Sequence, residues 1–318
     1  MANYTTSADL LTDVIFRAGE PASGSDFADA ALRYLNRAYQ SLWNGGSELD
    51  PTIQEVWWWL RKDGRGSIIV QPIKDTGTVA VTNNNATATL SAVVNTDLDG
   101  WYFKVDGHPD VFRVSAHTSG SDTLTLDSVY TGPDATAATY KLLKLEYDLP
   151  TDCIYLTGPM RGYREGTRFV HYLDETKMDM EWPLQDIQTG MPKNFTMIGD
   201  KSVRLSHGGS TDSTDLIRLD FAYIAAPDDL ANDSAEPLVP RQYRKTLADW
   251  ALALLYEDLQ DDRAPDMISL AKAGLLAMSR ENKRRKMLSD RMTAVIKTRP
   301  GNRFNTRVLR TESGHILG

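Results

Sequence analysis

The sequence predicts an α+β protein. Its two ends form a helical bundle, a large antiparallel β region is inserted between them as a small barrel or sandwich, and an extended C-terminal tail follows. Three observations predict this. Apolar residues recur at three- and four-residue steps near the N-terminus and again over Pro237–Met292. Between Ser67 and Tyr223 the period falls to two, in short segments separated by Gly, Asn, Asp and Pro. Beyond Met292 no apolar period survives. The expected divisions are 1–65 for the N-terminal helices, 66–150 for an inserted β module, and 151–236 for a second β-rich region. The C-terminal helices take 237–292 and the tail 293–318.

The first helix is expected over Ser7–Gly19, with Ser7 as N-cap and Leu10, Leu11, Val14 and Ile15 on its apolar face. Asp26 is the expected cap of a second helix, which carries Phe27, Ala30, Ala31, Tyr34, Leu35, Ala38, Tyr39 and Leu42 at helical spacing and stops at Asn44-Gly45-Gly46. Asp50 and Pro51 are read as the start of a third helical segment that contains Ile53, Val56, Trp57, Trp58 and Trp59. Three adjacent tryptophans cannot all face one core, so part of the cluster is expected to cover a neighbouring subunit or sheet. The plainer reading is a set of partly exposed helix residues.

The period-two segments are Ser67–Gln71, Gly77–Val81, Ala86–Leu90, Trp101–Val105, Val111–Val114, Thr123–Leu126 and Thr139–Leu143, with Leu149-Pro150 closing that module. Strands so short and so regularly spaced suggest a barrel or sandwich. The second β-rich region is read from Ile154–Leu156, Thr167–Val170, Phe195–Ile198, Ser202–Leu205 and Leu216–Tyr223. Leu173–Asp186 is a short helix or loop, and His207–Ser213 a polar loop. The C-terminal pair places Leu247, Trp250, Ala251, Leu254, Leu255 and Leu259 on one helical face. After a break at Gln260–Pro265 come Met267, Leu270, Ala271, Gly274, Leu275 and Met278 on the next. That second helix is expected to end in the basic run Lys283, Arg284, Arg285 and Lys286.

Composition excludes several classes. With 318 residues, 41% hydrophobic and 25% charged, the chain supports real cores and is not disordered throughout. The net charge of −8 argues against a nucleic-acid coat. That charge is uneven. From Arg280 onward eleven Lys/Arg face three Asp/Glu, a net +8, which leaves −16 on the rest. The single cysteine, Cys153, permits no intrachain disulfide and reads as a small buried hydrophobe. The first residues lack a basic region followed by an apolar core, and no apolar run reaches membrane-spanning length. Folding in a reducing cytosol, without a membrane, is therefore expected.

No catalytic residue, metal ligand or cofactor is assigned. The five histidines lie at no metal-binding spacing, and no nucleophile elbow, P-loop or dinucleotide fingerprint occurs. Asp258, Asp261, Asp262 and Asp266 lack the alternation and bidentate Glu of a calcium loop and read as a solvated helix–helix turn. Acidic pairs such as Asp174/Glu175 and Asp179/Glu181 serve glycosidic chemistry only at a spatial separation that a sequence does not give. The basic run compensates a helix dipole or meets an acidic surface or passing DNA. The tail interleaves Arg299, Arg303, Arg307 and Arg310 with Phe304 and Leu309, a pattern that orders on a partner or frays.

Three features together resemble the head-to-tail connector, or adaptor, proteins of tailed bacteriophages, above all the podovirus type. They are the Leu10–Ala18 helix followed by Ala31–Trp43; the inserted Gly77–Val81, Gly100–Gly107, Leu124–Leu126 and Tyr140–Leu142 module ending in Tyr147–Pro150; and the C-terminal helix pair with its tail. The resemblance implies a structural virion protein at the head–tail interface, assembled in the host cytoplasm and not an enzyme. It implies a ring, usually of twelve copies, beneath the portal protein. The ring would continue the channel for double-stranded DNA toward a tail tube or nozzle protein, and the tail residues Arg299–Arg310 would dock on the portal. An acidic body suits a lumen to which DNA does not stick. Trp57, Trp58 and Trp59 are the candidates for subunit contact. A tail-tube subunit, or a tail-associated β module that binds or cleaves polysaccharide, is the competing expectation.

Overall fold

The computed structural model describes residues 4–19, 25–162, 168–184, 188–212, 216–231 and 234–298. Over them the protein is α+β with mainly antiparallel strands. In chain order come α1 (Ser7–Ala18), α2 (Ser25–Trp43), β1 (Arg61–Val70), β2 (Val79–Val81), β3 (Thr87–Val94), β4 (Tyr102–Val105), β5 (Phe112–His117) and β6 (Ser121–Leu126). Next are β7 (Ala135–Ala138), β8 (Tyr140–Leu143), β9 (Glu146–Asp148), β10 (Cys153–Leu156), β11 (Met160–Gly162), β12 (Arg168–Tyr172) and α3 (Glu175–Glu181). The last are β13 (Gln188–Thr189), β14 (Asn194–Ile198), β15 (Ser202–Leu205), β16 (His207–Gly208), β17 (Ile217–Ala225), α4 (Arg244–Asp258) and α5 (Ala264–Thr298). The chain divides into two units, Met1–Leu60 with Pro227–Gly318, and Arg61–Ala226.

In the first unit α4 packs against α1, α2 and α5. The cap of α1 is Thr6 rather than Ser7. Its hydroxyl accepts from the Asp9 amide at 3.1 Å, and the Asp9 carboxylate accepts from the Thr6 amide at 2.9 Å, a reciprocal capping box. Helix α2 starts at Ser25, one residue ahead of the expected cap Asp26. The third helix expected from Asp50 does not form as an α-helix. Asp50 instead accepts from the amide and hydroxyl of Thr52 (3.0 and 2.7 Å), a local turn that competes with helix. Only one 3₁₀ turn, Trp58–Leu60, follows.

Helix α4 is not amphipathic in the expected sense. Ala248, Leu252, Ala253 and Tyr256 are buried along with the predicted Leu247, Trp250, Ala251, Leu254 and Leu255, so apolar neighbours surround it. Leu259, assigned to the same face, lies just past the helix and is 60% exposed. The buried Arg244 guanidinium donates to the carbonyls of Val239, Tyr4, Thr5 and Pro237 at 2.7–2.9 Å and to Glu236 at 2.8 Å. It thereby fixes the N-terminal residues to the approach to α4. Asp249, buried on α4, is held by Arg17 at 2.8 Å and Lys245 at 2.6 Å.

Helix α5 presents Ala264, Ala271, Leu275, Met278 and Ser279 inward. Gly274 lets it approach α4 closely: a Cβ there would stand 2.1 Å from Thr246 Oγ1. The helix continues to Thr298, past the expected end at Met292, so the first six residues of the expected tail are helical.

The second unit holds two main sheets. The first runs β7-β2-β3-β6-β5-β4-β8. Its two outermost strands, β7 and β8, are separated by one residue, Thr139. One nearly continuous stretch thus pairs with β2 at its start and β4 at its finish, closing the sheet on itself. Alternating residues such as Leu90, Phe103, Phe112, Val114, Leu124 and Leu142 fill the interior.

The second sheet runs β1-β17-β11-β12-β14-β15-β9, with β10 also on β17. It buries Ile68, Val70, Met160, Val170, Phe195, Val203, Leu219 and Phe221. This corrects two expectations. Strand β1 joins β17, not the first β module. Glu146–Asp148 pairs with β15 instead of closing the barrel. The barrel reaches this sheet through Glu146, which accepts from the Tyr102 hydroxyl and from Arg113 Nη2 at 2.6 Å. Burial first, then that hydrogen bond, raises the Tyr102 pKa and keeps the phenol protonated. The stretch from His207, expected to be a polar loop, is buried through Ser210, with the His207 ring 4.7 Å from Trp182.

Candidate functional site

The tryptophans and the basic run, read separately in the sequence, meet in the first unit. Two glycines bring this about. Gly45 and Gly46 have φ of 102° and 78°, a conformation that suits glycine, and turn the chain back after α2. A Cβ on Gly45 would lie 3.2 Å from the Glu55 backbone. The returning segment lays Trp57 against α2 and Glu55 and Trp58 against α5.

Trp57 is fully buried, and its indole N–H donates to the Leu42 carbonyl at 2.5 Å, capping the end of α2. Within the single chain its side chain is closed to solvent. Trp58 is half-buried. Its amide donates to Asn282 at 3.3 Å, its ring meets Tyr243 edge-on at 6.2 Å, and the Arg285 guanidinium lies 4.8 Å from its centroid. Trp59 is half-buried too.

Glu55 is the anchor. Its carboxylate accepts from Ser279 Oγ at 2.9 Å and Asn282 Nδ2 at 2.8 Å, and pairs with Lys283 Nζ at 3.5 Å. Asn282 Nδ2 also donates to the Val56 carbonyl at 3.0 Å. These contacts fix the α5 turn that precedes the basic run. Within the run, Glu281 pairs with Arg284 at 3.1 Å and Arg285 at 2.9 Å. The side chains of Lys283, Arg284 and Arg285 are 67%, 72% and 51% exposed, and Lys286 is exposed. The run is not a helix end, because α5 continues to Thr298. Dipole compensation acts within the last turn and does not explain it. A cationic stripe held partway along a helix can meet an anionic surface.

Two of the acidic residues at the α4–α5 turn have partners, one from α2 and one beside it in sequence. Tyr34 donates to Asp258 at 2.5 Å, and Arg263 pairs with Asp261 at 2.7 Å. Among the described residues no three His, Cys, Asp or Glu gather as metal ligands. No described helix is long and apolar enough to cross a membrane. Arg299, Arg303, Phe304, Arg307, Leu309 and Arg310 lie outside the described residues. Sequence reasoning missed Glu55, Ser279 and Asn282, whose contacts span more than 220 positions and leave no local pattern.

A family model described as SU10 adaptor protein matches residues 127–299, from the end of β6 through the whole of α5. The match includes Lys283–Lys286 and leaves out Trp57–Trp59. No curated protein matches the chain.

Proposed function

The chain belongs to the SU10 adaptor protein family, the phage structural adaptors, and from that premise we propose that it forms a ring beneath the portal, joining the DNA-filled head to the tail. The single observation that carries the reading is the family match over 127–299. In this reading the four long helices make a bundle, Arg61–Ala226 is its insertion, and residues 299–318 form an extended tail that docks on the portal. The particle is of the podovirus type, and the ring has twelve copies. The other partner is a tail-tube or nozzle protein, DNA passes through the ring without sequence-specific contact, and the role is structural rather than enzymatic.

Two features support the assignment. The cationic stripe Lys283–Lys286 is exposed and its root is anchored by Glu55, which suits a surface that meets an acidic partner. The −16 carried by the residues before Arg280 suits a channel that DNA must traverse without adhering. Deleting Pro300–Gly318 tests the reading in assembled particles. The expected result is DNA-filled heads without tails, seen by electron microscopy. Normal joining by the truncated protein would refute the docking role. Sedimentation of the full chain mixed with portal should show a closed ring on the portal.

A further inference from the structure

Where α2, the turn after it and α4 meet, the first unit keeps a small cavity. Ala38, Ser41 and Leu42 fall on one face of α2 at three- and four-residue steps, and Thr246, Leu247 and Trp250 do the same on α4. The space between them is about 10 Å³. That is room for one water and for no organic molecule. No charged residue lines it, so an ion would sit there without a counter-charge.

Two of the side chains that line it carry an unpaired polar atom. Ser41 and Trp250 are only 7% and 8% exposed. Among the described residues neither Ser41 Oγ nor Trp250 Nε1 has a hydrogen-bond partner, and both atoms are closed to solvent. A serine inside a helix often turns its hydroxyl to the carbonyl one turn back, and Ser41 does not. The Trp250 ring also borders an open groove beside Arg37 and Glu48, but a nitrogen closed to solvent takes no partner from there. Polar groups buried this deeply are almost always paired, because leaving them unpaired is costly.

We propose that this cavity binds one structural water, which bridges Ser41 Oγ and Trp250 Nε1 and so joins α2 to α4. An indole N–H can only donate, whereas a hydroxyl both donates and accepts. The water oxygen accepts from Trp250 Nε1, and one of its hydrogens goes to Ser41 Oγ. Each orphaned group is then satisfied, and the space between the helices is filled. Ala38, Leu42 and Leu247 alone would make an apolar hollow of the kind that stays dry, so the two polar atoms are what hold the water. The site lies within the first unit and is independent of what the protein docks on.

A crystal structure of the full chain tests the site. The expected result is one ordered water within about 3.2 Å of both Ser41 Oγ and Trp250 Nε1. An empty cavity, or a water that touches only one of the two atoms, would overturn the proposal. Denaturant unfolding of the parent, Ser41→Ala, Trp250→Phe and the double variant tests the bridge in solution. Each single substitution should lower the folding equilibrium constant about tenfold, because the opposite group and the water lose a shared partner. The double variant needs no bridge, so its loss should fall short of the product of the two by about threefold or more. The ring volume lost in Trp250→Phe is lost in both backgrounds and cancels from that comparison. Losses that multiply, or single variants as stable as the parent, would show that no water couples the two side chains.

Discussion

Gly274→Ala sets helix propensity against packing, and the two predict opposite signs. In an exposed helix the change stabilises by about 1 kcal/mol. Here the new Cβ would stand 2.1 Å from Thr246 Oγ1, 2.7 Å from Cγ2 and 2.9 Å from Cβ. Turning the Thr246 side chain relieves the first two contacts but not the third, so the backbones of α4 and α5 must part. Overpacking of that kind costs about 1–3 kcal/mol, and with a backbone-linked atom in the clash the upper end applies. Against the gain in propensity the net is a loss of about 2 kcal/mol, or a melting temperature lower by about 4–8 °C. Thr246→Ala removes Oγ1 and Cγ2, so the double variant should be less destabilised than the two singles summed, with a coupling of about 0.5–1 kcal/mol. Calorimetry or denaturant titration of the four proteins decides it. A Gly274→Ala protein as stable as the parent, or more so, would show that α4 and α5 do not approach as described.

Arg244→Ala strands four carbonyls and takes away one of the two arginines paired with Glu236, and should cost about 3–5 kcal/mol by denaturant unfolding. Lysine should recover only part of this, because one ammonium cannot serve the same set. Glu55→Ala should destabilise by about 1–3 kcal/mol and speed hydrogen exchange over Ser279–Lys286, whereas unchanged exchange would remove its anchoring role. Arg241, then Arg244, draws the Glu236 carboxyl from 4.5 down to about 2. A folded-state value below the unfolded one gives stability that is present above about 4.5 and lost as pH falls toward 2, and Glu236→Gln should flatten that part of the acid titration.

Much of the layout is legible locally. The α1 face and most barrel strands follow from period and turn chemistry, because each is set by residues within a few positions. What fails is long-range choice. The alternation in Ser67–Val70 says that a strand forms, not that its partner lies some 150 positions on in β17. Strand β7, Ala135-Thr-Ala-Ala138, shows no alternation and is half exposed, so nothing marks it. The third helix is lost to an Asx turn at Asp50. The α5 terminus is misread because Lys, Arg, Glu and Met continue a helix well, so a basic run is not a stop. In the candidate site, the exposed Lys283–Lys286 stripe is visible in the sequence. Its fastening through Glu55 and the Trp58–Arg285 stack is not, since those pairs join opposite ends of the chain.

The pairing of β1 with β17 has a topological consequence. The chain passes into the second unit at Arg61 and leaves it after Ala226, and Arg61 sits opposite Ile224 in an antiparallel ladder. Antiparallel partners stand about 5 Å apart, so the two crossings share one doorway. A module stitched in this way can be lengthened, exchanged or excised with a turn of a few residues, without asking the host helices to change their ends. The same connection therefore accommodates β modules of different size without any change to the flanking helices.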